Sequence, residues 1–220
     1  MSTIKSSAED LTLNADGSNE IKFQINAVEK ASINSSGLLT STTIDATALT
    51  GNLPAIDGSS LTGIGGGITA ASQWRLNTHH TGTADPITSN LEVVDTDGYG
   101  SLGSAMTESS GVFTFPSTGY WLIGFTGEFY CGTDSRYNCA VIETTTDDSS
   151  YNHAAKATGN IAHTYSTPHA TATASFLFDV TNTSTHKVRF VVLTDSHTTT
   201  VYASTSINQT HMTFIRLGDT

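Results

Sequence analysis

The sequence predicts an all-β protein, on three observations. Charged residues make up only 13% of the 220-residue chain, and Lys and Arg together number 9, so the side chains typical of amphipathic helices are scarce. Thr, Ser, Gly, Val and aromatic residues instead dominate the apolar segments, which favours strands joined by turns. The densest apolar stretch, residues 111–129, also alternates with the period of two that is typical of a strand.

Residues 111–129 are predicted to form two strands on either side of a turn. Pro116 and Gly119 bracket this turn, because proline cannot donate to a strand ladder and glycine tolerates a positive φ. After the turn, successive side chains point to opposite faces. One face carries Trp121, Ile123, Phe125, Phe129 and Cys131, and the other carries Tyr120, Leu122 and Tyr130. Since both faces are partly apolar, we expect cover on both sides, from a second sheet and from something else, such as a neighbouring copy.

Shorter strands are predicted along the rest of the chain. From residue 111 on, they are separated by turns rich in Asp, Asn, Ser and Thr at the spacing of a jelly-roll sandwich. The predicted strands cover residues 10–15, 21–25, 30–34, 72–76, 91–95, 138–145, 174–180, 187–193, 200–204 and 211–217. The stretch 146–173 lacks this alternation and is predicted to be a long irregular loop.

A 12-residue repeat marks the N-terminal part, because residues 44–51 recur as residues 56–63. Copies this short cannot bury their own apolar side chains, so they need stacked repeats or parallel chains; a flexible Ser/Thr-rich linker is the open alternative. We therefore predict a β-rich shaft or attachment segment over 1–64, a Gly-rich linker over 65–71 and a jelly-roll head over 72–220. The side chains predicted to face the axis of a trimeric shaft are Ile44, Leu49, Leu53, Ile56, Leu61 and Ile64.

The formal net charge of −11 argues against two classes of partner. Nucleic-acid binding draws on clustered Lys and Arg, and no such cluster occurs. Docking on an anionic membrane is disfavoured for the same reason, and no apolar run approaches the roughly 20 residues of a membrane span. The N-terminus has no apolar signal region, so we expect synthesis in a cytoplasm.

No catalytic or metal-binding pattern stands out, and the chain is predicted not to be an enzyme and to need no cofactor. Gly-x-Ser-x-Gly, phosphate loops and nucleotide fingerprints are absent. A glycan hydrolase would need a carboxylate pair, for which the sequence offers single acids, namely Glu128, Glu143, Asp147, Asp148 and Asp179. The eight histidines lack ligand spacing, so no metal is predicted, although His211 or His197 from three chains could meet on an axis.

Cys131 and Cys139 flank a segment with the composition of a hairpin connection. A disulfide there is conceivable in an oxidising medium, and two reduced, buried thiols are the alternative. We favour the reduced state because the expected site of synthesis is reducing.

Two segments resemble known families. The order G-x-F-x-x-P-x-x-G-Y-W-x-I over residues 111–123, with the closing strand 212–218, resembles the complement-type globular head, a relative of the tumour necrosis factor jelly roll. That resemblance covers about residues 72–218 and implies a sandwich that associates as a tight trimer. Tyr120, Leu122 and Phe214 are the trimer-packing residues predicted in the head. Residues 20–37 resemble phage tail-fibre shafts, in which hairpins from three chains wrap around one axis.

These resemblances imply a homotrimeric bacteriophage fibre protein, located in the virion, whose N-terminal segment attaches to tail or baseplate proteins. The head is then expected to adhere to a host-surface component, either a polysaccharide or a protein. Aromatic residues with hydrogen-bonding neighbours on a loop suit sugar binding, although they could equally pack between subunits. The receptor-binding candidates are Asp147, Asp148, Tyr151, His153, Tyr165 and His169. A capsid decoration or head-fibre protein with a purely structural role is the alternative, and a depolymerase is a third hypothesis.

Overall fold

The computed structural model describes residues 20–36, 39–41, 67–164 and 166–220, and these residues form strands and turns without any helix. It follows that no helix able to span a membrane occurs in this part of the chain. The prediction of an all-β fold is confirmed. The chain divides into two compact units, Met1–Thr62 and Gly63–Thr220, and each is described by itself.

The N-terminal unit contains a small antiparallel sheet. Its strands, in the order β1-β2-β3, are β1 (Ile21–Ile25), β2 (Val28–Ile33) and β3 (Leu39–Ser41). Asn26 and Ala27 form the two-residue turn between β1 and β2, and both have a positive φ, 50° and 59°, as hairpin turns of this length require. The predicted strand at 21–25 is confirmed. The 12-residue repeat lies outside the described residues, and so do the predicted axis-facing residues Ile44, Leu49, Leu53, Ile56 and Leu61. The trimeric shaft therefore stays a prediction.

The head is a jelly-roll sandwich of two antiparallel sheets. Its strands are β4 (Ala70–Leu76), β5 (His80–Thr81), β6 (Leu91–Val93), β7 (Thr107–Ser109), β8 (Val112–Thr114), β9 (Gly119–Tyr130), β10 (Ser135–Thr145), β11 (Asn152–Ile161), β12 (His169–Val180), β13 (Lys187–Thr194), β14 (Thr200–Val201) and β15 (His211–Gly218). The five-stranded sheet has the order β11-β10-β13-β8-β7. The seven-stranded sheet has the order β5-β14-β9-β15-β4-β6, with β12 also paired to β9.

Strand β9 lies at the centre of the seven-stranded sheet. It pairs with β12 along its whole length, from Gly119 opposite Val180 to Tyr130 opposite His169, and with β15 on its other edge. Its side chains alternate as the sequence predicts. The inward set, Trp121, Ile123, Phe125 and Phe129, is at most 1% exposed, whereas the outward Tyr120 and Leu122 are 41% and 38% exposed.

The core between the sheets is built on contacting aromatic rings. Phe113 meets Phe190 and Phe214 at centroid distances of 5.3 Å each, and Phe190 lies 5.8 Å from Phe214. Phe214 is fully buried here, because the even-numbered positions of β15 face inward. Its predicted role as a trimer-packing residue on the surface is therefore wrong.

The turn at residues 116–119 joins the two sheets rather than closing a hairpin. Strand β8 before it belongs to the five-stranded sheet, and strand β9 after it belongs to the seven-stranded sheet. Gly119 has a φ of 134°, and a Cβ on it would lie 2.3 Å from the carbonyl oxygen of Gly218. This corner thus requires glycine, for close approach as well as for backbone conformation.

The segment between the two cysteines also crosses between the sheets. Cys131 follows β9 and Cys139 lies in β10, so the expected hairpin connection is wrong, and both thiols are free and buried. Burial acts to raise the pKa of the Cys131 thiol, but hydrogen bonds, chiefly with Thr133 and also with the Thr198 hydroxyl, outweigh it and lower the pKa to about 7.

The predicted long loop over 146–173 is wrong for most of its length. Residues 152–161 form β11, and β12 begins at His169. Strand β11 is rich in Ala, Asn and Gly, which have low strand propensity, and it is ordered by pairing with β10, for example Ala157 opposite Ala140. Among the described residues of this stretch, only those in the short segments before and after β11 are irregular.

Candidate functional site

The receptor-binding candidates are divided between the two sheets. Asp147 and Asp148 follow β10, Tyr151 precedes β11 and His153 lies within it, all at the five-stranded sheet. His169 begins β12 of the seven-stranded sheet. Tyr165 lies outside the described residues. The five candidates that the structure describes therefore do not form one site.

Asp147 holds the turn that leaves β10. Its Oδ1 accepts hydrogen bonds from the backbone N–H groups of Ser150 at 2.7 Å and Ser149 at 2.9 Å, and from the Thr145 hydroxyl at 2.8 Å. These donors, the backbone N–H groups first, hold the pKa of Asp147 well below its usual range. An Asp oxygen that accepts from residues two and three further on is an Asx turn, so the geometry gives Asp147 a structural role.

A row of three polar side chains crosses the five-stranded sheet next to this turn. Glu143 lies opposite Arg189 on one neighbouring strand and opposite His153 on the other. The Arg189 Nε donates to Glu143 Oε2 at 2.5 Å, and the His153 Nε2 lies 3.1 Å from Glu143 Oε1. The guanidinium of Arg189 also lies 4.1 Å from the centroid of the Tyr151 ring, a cation–π contact. We call these four residues the Glu143 cluster.

The Glu143 cluster is suited to recognition rather than to acid–base chemistry. Both carboxylate oxygens of Glu143 are engaged, and its side chain is only 6% exposed. The His153 side chain, by contrast, is 50% exposed and can meet a ligand. Burial, followed by the charge of Asp148, raises the pKa of Tyr151, so its hydroxyl stays protonated at neutral pH. The sequence named Glu143, Tyr151 and His153 separately, but it missed Arg189, because cross-strand pairing determines which strands are neighbours.

His169 belongs to a second group, the Tyr202 cluster, defined as His79, Glu128, Tyr130, His169 and Tyr202. The Tyr202 ring lies 4.7 Å from His79 and 5.0 Å from His169, centroid to centroid. Tyr130 lies opposite His169 on the neighbouring strand, with the rings 5.5 Å apart, and the His169 Nδ1 lies 3.3 Å from Glu128 Oε1. The cluster is thus a polar aromatic patch at one end of the seven-stranded sheet.

Neither cluster is arranged as a metal centre. In residues 20–36, 39–41, 67–164 and 166–220, no three His, Cys, Asp or Glu side chains converge as a metal ion would need. His211, one of the two histidines considered for a three-chain axial site, has its Nδ1 3.1 Å from the Gln209 carbonyl oxygen.

The outward face of the seven-stranded sheet carries an apolar row at its other end. Leu122 lies opposite Leu177 on β12 and opposite Ile215 on β15, and Ile215 lies opposite Ala71 on β4. An isolated bridge extends the row from Ala71 to Leu102. We call these five residues the Leu122 row. Leu122, Leu177 and Leu102 are 38%, 53% and 48% exposed, so the row is open to solvent in a single chain.

Comparison with known proteins gives similarity in structure only. No protein-family model matches the chain, and no curated protein matches it. Among solved structures, murine APRIL at pH 5.0 is 10% identical, with a TM-score of 0.47, over 67% of this chain and 98% of that chain. Eiger TNF from S. frugiperda is 11% identical, with a TM-score of 0.49, over 68% of this chain and 93% of that chain. The jelly-roll assignment rests on the strand order of the head itself.

Proposed function

We propose that this chain is the subunit of a homotrimeric bacteriophage fibre protein, and that its head adheres to a component of the host surface. Other virion proteins, of the tail or the baseplate, bind its N-terminal segment in this proposal. The observation that carries it is the Leu122 row, an apolar surface on a sheet that is already covered on its other face.

The Leu122 row has the properties of a self-association surface. Its members are in register across four strands, so they form one continuous strip rather than scattered exposed residues. Tyr120, two residues before Leu122 and therefore on the same face, extends the strip. Full burial of a Leu side chain contributes about 1.5–3 kcal/mol, so burial of the half-exposed leucines contributes about 1 kcal/mol each. The resemblance of residues 111–123 to trimeric heads supplies the expected number of three copies.

The N-terminal unit supports association independently. Phe23, Ile25 and Val28 on the β1–β2 hairpin are 46%, 63% and 54% exposed. A small sheet needs a buried hydrophobic face for independent stability, and these large apolar side chains instead lie in solvent. Packing against the same hairpin of other copies would cover these side chains, as the resemblance of residues 20–37 to fibre shafts implies.

Adhesion is supported by the location of the Glu143 cluster. Trimer contact through the seven-stranded sheet leaves the five-stranded sheet, with His153 and Tyr151, free to meet a ligand. Three copies of a weak site on one rigid assembly bind with avidity, because later contacts become intramolecular.

Native mass spectrometry of the full chain at micromolar concentration tests the assembly. Wild type is expected as a trimer, and Leu122→Ser is expected to shift the population toward monomer. Tyr137→Ser is the matched control, since Tyr137 is 40% exposed but lies on the five-stranded sheet. A monomeric wild type, or equal loss of trimer in both variants, would contradict self-association through the Leu122 row.

Cryo-electron microscopy of particles that carry the protein tests the fibre assignment. Three-fold density at the tail, with the head pointing outward, is the expected result. Density spread over the capsid would instead indicate the decoration protein, with a structural role and no receptor.

A further inference from the structure

A groove of about 370 Å³ opens beside the edge strand β6 of the seven-stranded sheet. Residues 94–99 form one wall, residues 206–208 form the other, and Gln73 of β4 lies between them. The volume falls in the range of about 300–1,000 Å³ that is typical of small-molecule sites. None of the residues proposed for binding from the sequence lines this groove.

A buried arginine holds both walls of the groove in place. Arg75 is only 1% exposed, and its Nη2 lies 2.7 Å from Asp95 Oδ1 while its Nη1 donates to Thr96 Oγ1 at 3.0 Å. The same Nη2 donates to the Thr205 carbonyl in the opposite wall. Thr96 Oγ1 in turn donates to the Ser206 carbonyl at 3.1 Å, which joins the two walls directly. The groove is therefore formed before any ligand arrives, as binding sites require.

The groove combines an anchored aromatic ring with unsatisfied polar groups. The Tyr99 hydroxyl accepts a hydrogen bond from the Gln73 backbone N–H at 3.0 Å, which fixes the ring as part of the wall. Asp97 is exposed, and its carboxylate makes no hydrogen bond or ion pair within the described residues. The Asn208 amide donates to Gln73 Oε1 at 3.4 Å, so its own oxygen is left for a ligand. Ile207, 58% exposed, adds apolar surface.

A second depression of about 230 Å³ adjoins the groove, since Gln73 and Tyr99 line both spaces. Ala71 and Ile215 of the Leu122 row also line this depression, so it belongs to the surface proposed for self-association. The groove alone is therefore the space considered for a ligand.

We propose that this Tyr99 groove binds an uncharged oligosaccharide segment. The face of a sugar ring packs on Tyr99 and Ile207, and its hydroxyls exchange hydrogen bonds with Asp97 and Asn208. The charges disfavour an acidic ligand, because no Lys or Arg of the described residues lines the groove, Arg75 beneath it is paired, and the chain carries a net charge of −11. This inference rests on the adhesion part of the proposed function. It names the class of ligand, and it places the binding site at the Tyr99 groove instead of the Glu143 cluster.

Isothermal titration calorimetry and saturation-transfer NMR on the full chain test the inference. The probes are uncharged glucan, galactan, mannan and N-acetylhexosamine hexasaccharides, with a galacturonate hexasaccharide as the acidic comparison. At least one uncharged probe is expected to bind, with the tyrosine ring in contact, and Tyr99→Ala is expected to abolish binding. Asp97→Asn, which suits the positive φ of 56°, is expected to weaken binding about tenfold through loss of a charge-assisted hydrogen bond.

Asp148→Asn is the matched control, because Asp148 is also an exposed aspartate with a positive φ, of 60°, and it lies beside the Glu143 cluster. Binding that Asp148→Asn weakens and Asp97→Asn leaves intact would overturn the groove assignment. So would binding of the galacturonate alone, or no binding at millimolar concentration. Native mass spectrometry on the same samples separates the two proposals: a trimer that binds no saccharide overturns the groove alone, and a monomer that binds overturns the assembly alone.

Discussion

The outward faces of the two sheets differ in how far their apolar side chains are exposed to solvent. On the five-stranded sheet, Cys139, Val141 and Val191 form a small apolar cluster that is at most 1% exposed, beside the ion-paired Glu143 cluster. On the seven-stranded sheet, Leu122 and Leu177 stay 38% and 53% exposed. Two faces of one sandwich, made from similar residues, thus differ in whether the single chain covers them.

This difference separates structural from associative apolar surface. An apolar cluster that the chain covers contributes to the stability of the subunit, whereas an uncovered strip contributes only when another molecule packs on it. The five-stranded face is therefore the one expected to remain in solvent in an assembly. On the seven-stranded face, the part that carries the Leu122 row is the part expected to be buried.

The largest expected effect is on stability, and it distinguishes the inward side chains of β15 and β9 from the outward ones. Phe214→Ala is expected to lower the free energy of unfolding by about 3–5 kcal/mol, because it leaves a cavity among Phe113 and Phe190. Leu122→Ser is expected instead to weaken the dependence of melting temperature on protein concentration, since association stabilises by mass action. Urea and thermal unfolding over a concentration series measure both. A concentration-dependent melting temperature that Leu122→Ser leaves unchanged would contradict the comparison.

The next largest effect is expected in the Glu143 cluster. Glu143→Ala leaves the Arg189 side chain, 25% exposed, without its carboxylate and is expected to lower the free energy of unfolding by about 1–3 kcal/mol. The control is Asp195→Ala, which breaks a pair whose Arg136 side chain is 83% exposed, and it is expected to change the free energy of unfolding much less, because solvent screens an exposed pair. Urea unfolding measures both, and trimer mass is expected to be unchanged. Loss of the trimer in Glu143→Ala would contradict the comparison, because it would indicate that the five-stranded sheet lies in the contact between subunits.

The smallest effect is expected at the turn that leaves β10. The pKa of Asp147 is lower in the folded chain than in the unfolded one, so its charge stabilises the fold above the unfolded pKa of about 3.9 and less as the pH falls below it. The difference in unfolding free energy between wild type and Asp147→Asn is therefore expected to be constant near neutral pH and to shrink in acid. Asp148→Asn serves as the neighbouring control. A difference that grows in acid would show that folding raises the pKa of Asp147, which is the opposite of the assigned direction.

Much of the head was predictable from local sequence. The alternation after Gly119 indicated the two faces of β9, and Tyr120 and Leu122 were correctly placed together on one of them. Strand β11 was missed, because its Ala, Asn and Gly residues carry little strand propensity and its order comes from pairing with β10. Phe214 was assigned to the wrong face, since alternation on β15 does not by itself say which face is covered.

The candidate sites were less predictable than the fold. Tyr151 and His153 were proposed as binding residues of a predicted loop over 146–173. Arg189, which contacts both Glu143 and the Tyr151 ring, was missed because it lies 46 residues after Glu143 in the chain. The Tyr99 groove was not predicted at all, because its walls come from segments more than 100 residues apart that Arg75 brings together.

The sequence alone determined the all-β class, the central strand and its two faces, since strand periodicity and turn chemistry are local properties of neighbouring residues. The tertiary structure decided which strands pair, which face the chain itself covers, and which distant side chains meet at the Glu143 cluster and the Tyr99 groove. Those outcomes depend on sheet register and on corners such as Gly119, which exchange strands between sheets and leave no periodic signal in the sequence.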